Sequence, residues 1–136
     1  MADCFKIETD IYKLLHMKND SPIQVKSYQF ALSIVKLYKM LYQQHEFVLS
    51  KQILKSGTSI GANVEEAIGA QSQKDFYAKV TIAFKEARET RFWLRLLRDS
   101  NYINKEEASR LIGDVVELIK LLVSIQKTVK QSKWHC

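Results

Sequence analysis

Residues 71–100 read QSQKDFYAKVTIAFKEARETRFWLRLLRDS. Within them Phe76, Val80, Ala83, Ala87, Thr90, Leu94 and Leu97 recur at alternating steps of four and three, the spacing that lines one buried face of an α-helix. Ser72 followed by Asp75 resembles a capping box and marks where that helix opens. Downstream, Asn104 with Glu107 opens another helix in the same way, and Ala108, Leu111, Val115, Leu118, Leu122, Ile125 and Val129 continue the pattern. Upstream, Leu49, Ile53, Ile60, Val64 and Ala67 form the apolar line of a helix running from about Glu46 to Ala70. Further back, Ser21-Pro22 places an N-cap before a proline at the first helical position, where the missing N–H costs nothing. Phe30, Ile34, Leu37 and Leu41 follow as the buried face, with Lys36 and Lys39 off it and a break around Gln43–His45. Four seams joined by short connections predict an all-α, antiparallel up-down-up-down four-helix bundle.

The whole chain has 136 residues, the size of one domain, and can bury a core without a metal or disulfide staple. A hydrophobic share of 46% excludes an intrinsically disordered chain, and Gly 4 with Pro 1 is too few for a β-sandwich or barrel. Three segments are expected: an N-terminal extension at 1–20, the bundle at 21–130 and a frayed basic tail at 131–136. Cys4, Ile7, Ile11 and Leu14 have helical spacing and predict a short helix in the extension. No signal-peptide-like or membrane-spanning apolar run occurs, so a soluble cytoplasmic protein with reduced Cys4 and Cys136 and no membrane role is expected.

Chemistry is sparse. His16, His45 and His135 lie far apart, the cysteines sit near opposite termini, and no Glu-x-x-His motif occurs, so neither a metal nor another cofactor is expected. The segment Gly57-Thr58-Ser59-Ile60-Gly61 lacks the GK[ST] ending of a phosphate loop. Its glycines cost the helix about 1 kcal/mol each relative to alanine and are better explained by close approach of a neighbouring helix. Glu65 and Glu66 are adjacent and point apart, and Asn63 beside the apolar line is expected to make a buried hydrogen bond. No nucleophile–base constellation suggests itself, and the expectation is a protein that is not an enzyme.

Charge is more informative. Twenty-one Lys and Arg against fifteen Asp and Glu leave a net charge of +6 and a pI near 9.3. Arg88, Arg91, Arg95 and Arg98 repeat at steps of three, four and three, each one position after a core residue and so about 100° from the buried seam. Only Arg95 has an acid three or four positions away, at Asp99. Antiparallel counting sets Lys55 level with Ala87, Lys51 with Arg91, and Lys39 with about Lys51. The four arginines then share one half of the bundle with Lys36, Lys39, Lys51 and Lys55, a clustering that fits contact with RNA or DNA phosphates. The same counting sets Asp114 near Arg91 and Glu117 near Arg88, so interhelix or intersubunit ion pairs are the competing use of these arginines. Tyr77, Phe84, Phe92 and Trp93 are too many for one seam; Trp93, on the flank opposite the arginines, is expected to pack on another helix or subunit, ahead of stacking on bases.

The run SKQILKSGTSIGANVEEAIGAQSQKDF (50–76), followed by IAFKEARETRFWLRLLRDSNYI (82–103), resembles the bacterial four-helix bundle protein family, which includes proteins encoded in intervening sequences of 23S rRNA genes. The resemblance spans about Lys26 to Lys130 and rests on Ser59, Ile60, Asn63, Glu66 and Ala67, where many members have glycine at the position of Ala67. The segment Arg91-Phe92-Trp93-Leu94-Arg95 is also similar to accessory variability proteins of diversity-generating retroelements. These resemblances imply a barrel-like homopentamer of four-helix protomers. In the retroelement branch they also imply a basic nucleic-acid-binding surface and a partner reverse transcriptase. The intervening-sequence branch carries no secure biochemical role, and the extra twenty N-terminal residues depart from the family's usual short start. Alongside the nucleic-acid reading stands a structural or protein-interaction bundle with no nucleic-acid role.

Overall fold

The computed structural model describes residues 21–135, and the helix expected around Cys4–Leu14 lies outside them. Four helices follow one another: α1 (Pro22–Gln43), α2 (Leu49–Ile68), α3 (Gln73–Asp99) and α4 (Lys105–His135). Sequence neighbours pack on each other, and α4 closes back on α1 along a sparser seam. This is the up-down-up-down bundle that the short connections predict.

Three helix starts follow the expected chemistry. The Ser21 hydroxyl accepts from the Gln24 N–H at 3.3 Å, that of Ser72 accepts from Asp75 at 3.0 Å, and the Asn104 side chain accepts from Glu107 at 2.8 Å. The start of α2 differs. Its N-cap residue is Val48, which has no capping oxygen. The buried Glu46 carboxylate reaches forward instead and accepts from Val48 at 3.2 Å, Leu49 at 3.0 Å and Ser50 at 2.6 Å. Burial pushes this carboxyl up, but the N–H groups of Leu49, Ser50 and Val48 outweigh it and hold the group below its usual range. Two helix ends turn without glycine: His45 (φ 64°) and Asn101 (φ 63°) are left-handed. There the N–H of Glu46 returns to the Leu41 carbonyl at 3.0 Å, and that of Tyr102 to Leu97 at 2.9 Å.

The seams meet in one core. Ile34, Leu41, Ile53, Ile60, Leu94, Leu97, Leu111, Val115 and Leu122 are fully buried, as are Ala83, Ala87 and Thr90 on α3. Leu49 and Ile125 are only half-buried at the edge of it. The glycines of α2 serve close packing. A Cβ on Gly57 would stand 2.7 Å from Ile34 Cγ1, and one on Gly61 would stand 3.4 Å from the Ser27 carbonyl oxygen. Asn63 is half-buried, and its amide donates to the Ser59 carbonyl of its own helix at 2.8 Å. Across the other side of α2, buried Ser56 and Thr90 bring their hydroxyl oxygens to 2.9 Å.

The C-terminal boundary moves. α4 runs past the expected limit at residue 130, because Ser132 is fully buried and receives a hydrogen bond from the Gln73 side chain. The helix therefore packs on the bundle as far as Ser132, two residues beyond that limit.

Candidate nucleic-acid interface

Each arginine of the α3 stripe follows a fully buried residue (Ala87, Thr90, Leu94 or Leu97), so the core itself turns the stripe outward. Arg88, Arg91 and Arg95 are exposed and Arg98 is half-exposed. Contacts to the neighbours fix which flank they occupy. Gln73 and Thr81 reach Ser132 and Gln126 on α4. Arg91 lies eighteen residues, or five turns, beyond Gln73, and Arg88 seven residues beyond Thr81, so the stripe prolongs the α4-side flank. The opposite flank of α3 faces α2: Lys79 pairs with Glu66 at 3.1 Å, and the Lys55 charge acts on Glu86. Burial, and then the neighbouring Glu89, push the Glu86 carboxyl up, while Lys55 opposes them.

The height of the lysines follows from the same contacts. Ser56 opposite Thr90 sets Lys55 level with Arg91 and Lys51 level with Arg95, one turn further along α3 than counting from the loop suggested. Ile34 against Gly57 sets Lys36 level with Lys55 and Lys39 level with Gln52. All four lysines are exposed. The eight cations thus share one half of the bundle but not one face. Arg88, Arg91, Arg95 and Arg98 line the outer α3–α4 flank, while Lys51 and Lys55 on α2, and Lys36 and Lys39 on α1, point away from the core elsewhere around the barrel.

The ion pairs differ from those the spacing suggested. Asp99 pairs with Arg98, at 2.8 and 3.3 Å, and not with Arg95. The hydrogen bond from Arg98 holds the Asp99 carboxyl below its usual range against desolvation, and the charges of Arg98, Arg95 and Lys105 add to it. Glu117 is taken by Lys26 across the α1–α4 seam, and Asp114 lies 3.9 Å from Arg110 on its own helix. Arg110 also binds Glu107, at 2.7 Å. Among the described residues, no ion pair involves Arg88, Arg91 or Arg95. The pairing of Arg88 and Arg91 with Glu117 and Asp114 within one chain is therefore not formed. Three guanidinium groups on one helix flank, with no carboxylate of the described residues bound to them, are an anion-binding arrangement.

The aromatic residues divide. Trp93 is half-buried against the core, as expected, whereas Phe92 is 52% exposed, its ring packed edge-on against Trp93 at 5.1 Å. Among the described residues, no three His, Cys, Asp or Glu side chains gather as metal ligands, and no helix is long and apolar enough to cross a membrane.

The 23S rRNA-intervening sequence protein family model matches residues 19–124. The chain belongs to this family. A solved structure from Bacteroides thetaiotaomicron VPI-5482, described as a protein of unknown function from the S23 ribosomal protein family, is 54% identical to it. The match covers 77% of this chain and 98% of that one, with a TM-score of 0.76. No curated protein matches the sequence.

Proposed function

We propose that this member of the 23S rRNA-intervening sequence protein family is a non-catalytic, homo-oligomeric nucleic-acid-binding protein. Its α3–α4 flank takes phosphates, with Arg88, Arg91 and Arg95 as the principal contacts and Arg98, Lys51, Lys55, Lys36 and Lys39 as surrounding positive potential. The observation that carries this reading is the set of three exposed arginines without a carboxylate partner among the described residues, at a height where Asp114 and Glu117 of α4 are already held by Arg110 and Lys26. A flat helical flank supplies phosphate contacts and little base-edge reading, so affinity is strongly salt-dependent and weakly sequence-dependent. The family's link to intervening sequences of 23S rRNA supports RNA as the first ligand to test. The family resemblance suggests a homopentamer as the assembly to test, and the likeness of residues 91–95 to the retroelement branch a reverse transcriptase as the first protein partner to test.

The test is fluorescence anisotropy of a labelled structured RNA at several salt concentrations, with the assembly state followed by light scattering. The wild-type protein should bind with a steep negative dependence on salt. The double variant Arg91→Glu/Arg95→Glu should lose at least about tenfold in affinity and flatten the salt slope while keeping the same assembly. Salt-insensitive binding, or none at low salt, would remove the nucleic-acid reading. Dissociation of the assembly in the double variant would assign the arginines to subunit ion pairs.

A further inference from the structure

The α3 flank carries an aromatic group among its cations. Phe92 lies four residues after Arg88 and three before Arg95, so the three side chains stand in one line along the helix, with the two arginines about 10 Å apart along its axis. Phe92 is 52% exposed, and the edge contact with Trp93 at 5.1 Å and 72° fixes the ring without covering it. The half-buried Trp93 is itself packed against the core, so the ring stands on a rigid base. Among the described residues no carboxylate pairs with Arg88 or Arg95, so an exposed ring stands between two unpaired cations.

We infer that Arg88, Phe92 and Arg95 form a platform for single-stranded nucleic acid, with the arginines on successive phosphates and an unpaired base stacked on Phe92. This rests on the phosphate-binding reading of the same flank and goes one step beyond it. A single strand offers both features the line presents, a polyanionic backbone and accessible π-faces. A duplex offers only the first, because its bases are stacked on one another and a ring on a convex helix cannot reach them. The charge around Phe92 still favours a polyanion over a protein surface: Arg88 and Arg95 stand four before and three after it and Arg91 beside it, against one carboxylate, Glu89, three residues before.

The experiment compares a labelled oligothymidylate of about a dozen nucleotides with an abasic strand of the same length and charge, by anisotropy at one salt concentration. The wild-type protein should bind the oligothymidylate about tenfold more tightly than the abasic strand. Phe92→Ala should erase that preference while leaving the affinity for the abasic strand unchanged, and Phe92→Tyr should keep it. Circular dichroism of Phe92→Ala, at an exposed position, checks that the bundle remains folded. Equal wild-type affinity for the two strands, or an equal loss on both with Phe92→Ala, would overturn the stacking platform. In either case, weaker binding of both strands by Arg91→Glu/Arg95→Glu would leave the phosphate-binding reading standing. No effect of the arginine variant on either strand would overturn that reading, and the platform with it.

Discussion

Substituting alanine at Gly57, Gly61 and Gly113 gives three different results from one chemical change. All three glycines are inside helices, so each alanine gains about 1 kcal/mol of helix propensity. Their surroundings differ. A Cβ on Gly113 meets nothing within 4 Å. On Gly61 it meets the Ser27 carbonyl oxygen at 3.4 Å, a tight but tolerable contact. On Gly57 it stands 2.7 and 2.8 Å from the two γ-carbons of Ile34 and 3.2 Å from its Cβ. Ile34 is fully buried and branched at Cβ, so it cannot swing aside, and overpacking of this kind costs about 1–3 kcal/mol and can exceed the propensity gain. Gly113→Ala should therefore stabilise by about 1 kcal/mol, Gly61→Ala should change little, and Gly57→Ala should gain nothing and destabilise by up to about 2 kcal/mol. For a chain of this length each kcal/mol moves the melting temperature by roughly 3–4 °C. The assay is thermal and urea unfolding at one protein concentration, because association adds its own stability. Ile34→Ala removes the γ-carbons, so the cost of Gly57→Ala should fall by at least about 1 kcal/mol in that background. A Gly57→Ala protein as stable as Gly113→Ala would refute the claim that α1 and α2 are held in contact through Gly57.

Three further changes probe other parts of the molecule. Glu46→Gln should destabilise by about 1–2 kcal/mol at neutral pH, since the amide caps α2 without charge. Because the Glu46 carboxyl is held below its ordinary 4.5, its contribution is complete above that pH and is lost as pH falls through the folded value; the gap between wild type and variant, measured by urea unfolding, should close in acid. Thr90→Val strips the buried Ser56 hydroxyl of its partner and should cost about 1–3 kcal/mol by the same assay, with Ser56→Ala adding little in that background. Asp99→Asn frees Arg98 from its ion pair and should raise nucleic-acid affinity a few-fold in low-salt anisotropy, with the melting temperature nearly unchanged.

Helix seams are legible in a sequence because burial imposes the four-three spacing, and the residues from Phe76 to Leu97 are indeed the buried face of α3. Caps are legible where a short polar side chain sits at the boundary itself, as at Ser21, Ser72 and Asn104. The start of α2 was hidden because its capping group is the longer Glu46, placed two residues before Val48. His45 gave no signal either, since a left-handed turn is usually marked by glycine. In the candidate site, the outward direction of the arginines was readable from Ala87, Thr90, Leu94 and Leu97, but their ion pairs were not. Glu117 meets Lys26 because α1 lies beside α4, and Asp99 folds back onto its immediate neighbour Arg98. Periodicity along one helix specifies neither the azimuth of another nor the rotamer that closes a pair.

Packing and charge are assigned to adjacent positions of α3. Thr90 and Leu94 are fully enclosed, while Arg91 and Arg95, one residue on, take no part in an ion pair within the described residues. Like charges three and four residues apart repel by a few tenths of a kcal/mol, and among the described residues no ion pair offsets that repulsion at Arg88, Arg91 or Arg95, Asp99 acting on Arg95 only through its charge. Meanwhile α4 presents Asp114 and Glu117 at nearly the same height, yet Arg110 and Lys26 occupy them. Losing these three arginines therefore breaks no ion pair among the described residues, whereas an external polyanion would relieve their repulsion and satisfy their hydrogen-bond donors together. Substitutions along the stripe should consequently separate binding from stability, and the Gly57 and Glu46 variants should move stability at positions remote from the arginine flank.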